Sequence, residues 1–194
     1  MPFRPAFAPA LMLGALLAAP GFADPIDAET AGAALFRPDR VEVVRYDMSG
    51  LSEDDVNMLT TLAQTQRYYA ALAYAPDAGI MAEPTVLSAN FHSVEAARGA
   101  ALQGCNARRS GGAACRIAIE VRPQGWEARD FQMSADATQA FNEQYRRARG
   151  PRAMAISASS GQWGIGRGDA ASEDALAACR GEAGVSDCAV VIQD

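Results

Sequence analysis

The chain contains no lysine: all seventeen basic residues are arginine. This excludes Schiff-base catalysis and the lysine-tipped loop GxxxxGK[ST] that grips nucleotide phosphates. Histidine occurs once, at His92, just before a predicted helix cap, and we expect it in an exposed loop. One histidine leaves little scope for nucleophile–base pairs, and there is no GxSxG elbow. CxxC is absent too, which argues against a zinc knuckle or a redox dithiol. Neither a metal nor a cofactor is expected. Positive charge is outnumbered, 17 against 23, for a net charge of −6. Such a chain is a poor partner for nucleic acid or anionic lipid.

Long apolar runs are confined to the beginning. Arg4 precedes Leu11 to Ala19, which Pro20-Gly21 breaks before the small-residue site Gly21-Phe22-Ala23. The pattern is that of a secretory signal peptide over 1–23, cleaved after Ala23. The run is shorter than the roughly 20 residues of a spanning helix. Export is therefore expected, to the periplasm or beyond, with no membrane span left after cleavage.

What is present is an internal match. Leu51-Ser52-Glu53-Asp54 through Gly79 aligns with Met133-Ser134-Ala135-Asp136 through Gly161 at a constant offset. An insertion near Glu83 to His92 follows. The match then resumes, pairing Ala96-Ala97 with Ala170-Ala171 and Cys105 with Cys179. Cys115 and Cys188 each open an apolar strand. Alanine-rich chains give accidental matches, but cysteines in register point to duplication.

The elements support the same division. Ser52, Ser93 and Ser134 each read as helix caps, the first followed by Glu53, Asp54 and Asp55. Val41 to Tyr46, Tyr69 to Ala75, Ile80 to Val86 and Cys115 to Val121 read as strands, the third weakened by Pro84. Alanines 71, 73 and 75 share one strand face, smooth enough for a closely packed helix. The expected fold is α+β, with two tandem related units, each roughly βαββαβ. Helices pack on a mixed or antiparallel sheet, with one disulfide per unit. An N-terminal arm spans 24–40, the first unit 41–122 and the second 123–194.

Four cysteines allow three pairings. Duplication selects Cys105 with Cys115 and Cys179 with Cys188, each joining a helix end to the next strand. Arg146, Arg147 and Arg149 at the end of the Ser134 helix offer an anion site, or simply complement the helix dipole, which we favour. Gly164-Ile165-Gly166-Arg167-Gly168 lacks the strand-to-helix context of a dinucleotide loop and reads as a hairpin. Trp126 and Trp163 are possible ligand contacts that stack on a sugar or peptide; packing is the plainer role.

The stretch Ala71-Leu72-Ala73-Tyr74, followed by turn, helix and two cysteines, resembles the DUF4189 type of domain. Ala153-Met154-Ala155-Ile156, Trp163-Gly164 and Ala175-Leu176-Ala177-Ala178-Cys179 resemble it more closely. The resemblance implies an exported bacterial protein with no established activity. The whole chain also resembles short proteobacterial proteins labelled 5-aminolevulinate synthase. That activity needs pyridoxal phosphate on a lysine; a short, exported chain without lysine does not fit it. The expected function is a non-catalytic binding or interaction module for an envelope protein or glycan. The alternative is a periplasmic enzyme with a carboxylate-based site.

Overall fold

The computed structural model describes residues 24–182 and 184–194; the signal-peptide assignment lies outside them. Two antiparallel sheets form the frame. The first contains β1 (Val41–Arg45), β2 (Ala70–Tyr74), β3 (Val86–Ser88) and β4 (Arg116–Pro123), in the order β1-β4-β2-β3. The second contains β5 (Arg152–Ser157), β6 (Trp163–Arg167) and β7 (Cys188–Gln193), in the order β6-β5-β7. The β4-β2-β3 and β7-β5-β6 arrangements have like topology. Even their irregularities agree: β2 shifts register against β4 between Leu72 and Ala73, and β5 against β7 between Met154 and Ala155.

Helices cover both faces of each sheet. In the first unit α2 (Glu53–Gln64) buries Leu59 and Ala63 against Leu72, Ile119 and Val121. Its start is fixed by a capping box: Asp55 N–H donates to Ser52 Oγ at 3.2 Å, and the Asp55 carboxylate accepts from Ser52 N–H. On the opposite face α3 (Val94–Arg108), capped by Ser93, sets Ala97, Ala101 and Cys105 against Ala71, Ala73 and Ala75. The alanine face of β2 admits the helix, as expected. In the second unit α5 (Ala171–Arg180) packs Ala171, Ala175 and Cys179 on Ala153 and Ala155. The other face carries α4 (Ala135–Ala140), capped by Ser134, and the π turn Phe141–Tyr145 that continues it.

The disulfides are Cys105–Cys115 and Cys179–Cys188, one in each unit, and no described cysteine is free. Each closes a loop, of 10 and 9 residues respectively. In the chain-entropy account such loops stabilise by about 2.5–3 kcal/mol each. Replacing both members of either pair by alanine is expected to lower unfolding free energy by that amount in urea titration. A loss under about 1 kcal/mol would contradict the chain-entropy account.

Two expectations need correction. The third strand is not Ile80 to Val86: Pro84 sits in a turn, Thr85 N–H bonds Ala82 C=O at 3.0 Å, and the strand begins only at Val86. The second unit also lacks the opening strand of the first. Residues 124–134 between β4 and α4 form no strand. The edge that β1 occupies on β4 is met on β7 by Ile26 instead, which pairs parallel with Ile192. Ile26 N–H donates to Val191 C=O at 3.0 Å, much as Tyr46 N–H donates to Ala118 C=O at 2.9 Å in the first unit. From there α1 (Ala28–Ala34), capped by Asp27, buries Ala31 against Phe141, Tyr145 and Met154. The arm thus completes the second unit, though it precedes the first in sequence.

Candidate functional site

The residues that sequence reasoning favoured do not converge. Trp126 is half-buried against the core of the first unit; its Nε1–H donates to Gln132 at 3.1 Å, and the Arg122 guanidinium lies over its ring at 4.4 Å. Trp163 is half-buried on β6 against the α4 layer of the second unit. The two belong to separate cores. The glycines of β6 serve packing: a Cβ at Gly164 would meet Ala178 Cβ at 2.7 Å, and one at Gly166 would meet Ala175 N at 2.6 Å. That stretch is a β-hairpin strand, in line with the sequence reading.

His92 is not exposed. It is 4 % accessible, held where the units meet. Asn90 and Phe91, after β3, run along the start of β2, where Phe91 and Tyr69 exchange backbone hydrogen bonds. His92 therefore projects from the first unit into the second. Its Nδ1 accepts from Ser134 N–H at 3.1 Å, and Nε2 lies 2.9 Å from Gln162 C=O. An amide can only donate and a carbonyl only accept, so these partners fix the neutral tautomer with hydrogen on Nε2. Burial pushes the imidazole down to about 4, against the raising influence of Gln162 and Asp187. With both nitrogens committed to backbone, His92 has none left to act as a base on a substrate.

Around it lies a polar seam. Asn90 donates to Asp136 at 2.7 Å and accepts from Asp136 N–H at 3.2 Å. Arg67 pairs with Asp136 and donates to Gln139 at 2.8 Å. Ala135 N–H reaches Tyr68 C=O at 3.0 Å, and Tyr69 O–H donates to Gln132 at 2.7 Å. Nearby, Asp187 accepts from Ser157 Oγ at 2.6 Å and Ser159 N–H at 2.7 Å. Burial opposes its charge, but these hydrogen bonds outweigh it and lower its pKa.

A second constellation was missed. Glu120 on β4 is fully buried. Arg122 Nε donates to Glu120 Oε2 at 2.9 Å, and Arg98 Nη1 stands 3.2 Å from Oε1, which has no hydrogen bond. Tyr46 accepts from Arg122 at 3.1 Å; burial and the adjacent carboxylate raise its hydroxyl pKa. The clue was a lone acid inside Ile117-Ala118-Ile119-Glu120-Val121. Sequence alone did not say that Arg98 on α3 would face it.

Open clefts lie beside the arm, and another of about 380 Å³ lies where β6 leads into α5. One cleft of about 360 Å³ is lined by Leu35, Phe36, Arg37, Arg40, Gln124 and Arg129. Arg129 is preorganised: Nη1 donates to Ala34 C=O at 2.6 Å, Nη2 to Glu127 at 3.0 Å, and the guanidinium lies 3.7 Å from the Phe36 ring centre. Arg37 makes only a loose 3.5 Å contact with Asp39, both largely exposed. Arg40 forms no ion pair among the described residues. Arg146 lines a second cleft of about 400 Å³ with Glu29 and Arg152. Arg146, Arg147 and Arg149 follow the π turn as exposed residues.

No cluster of three or more histidine, cysteine or acidic residues is arranged to hold a metal among the described residues. No described helix is long and apolar enough to cross a membrane. Comparison with protein-family models, with curated proteins and with solved structures finds no match.

Proposed function

We propose that this chain is an exported binding module of the bacterial envelope that recognises a carboxylate-bearing partner, glycan or protein, at the arginine-lined cleft beside the arm. The observation that carries this reading is the composition of that cleft. Arg37 and Arg40 line it beside Leu35, Phe36 and the internally bonded Arg129, in a protein whose overall charge is negative. Guanidinium and carboxylate match in planar, two-pronged geometry. The chain's one histidine and its buried Ser134 and Ser157 are meanwhile engaged in structural hydrogen bonds.

Export is supported by the N-terminal pattern and by two disulfides, which persist in oxidising compartments. The DUF4189 resemblance agrees with it. Descent of the two units from one duplicated ancestor is supported by the shared register shift, strand order and disulfide position.

Calorimetric titration tests the binding. N-acetylmuramic acid serves as the glycan probe and an acidic hexapeptide as the protein probe, with the Arg37→Glu/Arg40→Glu variant as control. Saturable binding of one probe, weakened at least about tenfold in the variant, is expected. No binding of either, or binding indifferent to the variant, would overturn the assignment of the cleft. Turnover of a probe would favour the carboxylate-based enzyme instead.

A further inference from the structure

We propose that the seam between the two units is an acid-released joint in which His92 is the latch. This goes beyond the binding reading and does not depend on it. The geometry carries it. His92 belongs to the first unit, while both of its hydrogen-bond partners, Ser134 and Gln162, belong to the second. One of those bonds requires an unprotonated nitrogen. A proton on Nδ1 would aim an N–H at the Ser134 N–H, and two donors cannot bond. Ser134 also caps α4, so losing it loosens the helix start that forms the rest of the seam.

Around the latch, from α4 comes Asp136, tied to Arg67 and Asn90 of the first unit. From the turn before β7 comes Asp187, whose negative charge favours the imidazolium but is outweighed by burial. From α5 comes Cys179, disulfide-bonded and unable to titrate, with Sγ 3.8 Å from Gln162 C=O.

When the seam opens, His92 meets water and titrates near its ordinary 6.5; when closed it titrates at about 4. The closed state is therefore fully favoured above the ordinary value and loses its advantage as pH falls toward the lower one. Between neutral pH and about pH 5, closure should weaken by about twentyfold from His92 alone.

Hydrogen exchange read by mass spectrometry tests this on the mature, disulfide-intact chain, corrected for intrinsic exchange. Backbone amides at the seam, Ser134 and Ala135, should lose protection by at least about tenfold at about pH 5, while β2 and β5 keep theirs. His92→Gln, which still offers an acceptor and a donor but does not titrate, should abolish the His92-dependent part of the response. Uniform loss of protection across both sheets, or an unchanged acid response in His92→Gln, would overturn the proposal. If that variant fails to fold, the imidazole Cε1–H proton resonance of the unaltered chain decides. A titration midpoint below about 5 supports the latch, and one at the ordinary 6.5 rejects it.

Discussion

Glu120→Ala is expected to cost about 3–5 kcal/mol of unfolding free energy, because it removes one partner of a buried charge network and leaves the others uncompensated. The carboxylate is fully buried, while Arg122 retains only 17 % of its side-chain accessibility. Arg122 is further held over Trp126 and against Tyr46, so it cannot swing into water without unpacking both. Arg98, 42 % accessible and stacked over Tyr46, can escape more easily. The cost thus falls mainly on Arg122. A second variant separates charge from packing: Glu120→Leu combined with Arg122→Leu removes both buried charges together. Apolar replacement of a buried pair is commonly neutral or stabilising, so this double variant should regain most of the loss. Urea denaturation with the disulfides intact measures both. A loss below about 1 kcal/mol in Glu120→Ala would mean that water reaches the site.

Gly166→Val should be comparably damaging, at about 4 kcal/mol or more, for a steric reason. The α5 backbone lies directly on β6: any Cβ at Gly166 collides with the Ala171 carbonyl and approaches Ala175 N to 2.6 Å. Neither obstacle is a flexible side-chain end, so the whole helix would have to lift away from Ala153 and Ala155. Gly99→Ala supplies the contrast. It lies on an exposed face of α3, and nothing stands within 4 Å of the place its methyl group would take. It should be neutral or stabilising by up to about 1 kcal/mol through helix propensity. Thermal unfolding of the two variants tests the steric account, which fails if Gly166→Val melts with the unaltered chain.

These contrasts explain what the sequence could and could not reveal. Ser52, Ser93 and Ser134 were legible as caps because capping is decided within four residues. The alanines of β2 were legible because strand periodicity is local. Duplication predicted the observed Cys105–Cys115 and Cys179–Cys188 bridges by transferring information between distant segments. His92 was misread because its burial depends on a surface contributed by Ser134 and Gln162, far along the chain. The missing opening strand escaped for the same reason: its place on β7 is met by Ile26, from the opposite end of the chain. The arginine cleft was invisible because Arg37 and Arg129 become neighbours only when the arm turns past Gln124.

The meeting of arm and last strand bears on the order of assembly. Ala28 N–H bonds the Asp194 side chain across a separation of 166 residues. Ribosomal synthesis delivers the two partners at opposite times, and bridging so long a loop carries a large entropic cost. The first sheet contains only strands from residues 41 to 123 and has all its members long before β7 emerges. The second sheet must wait for its final residues before the arm can dock. Closure of the second unit therefore joins a segment made before the whole first sheet to one made after it.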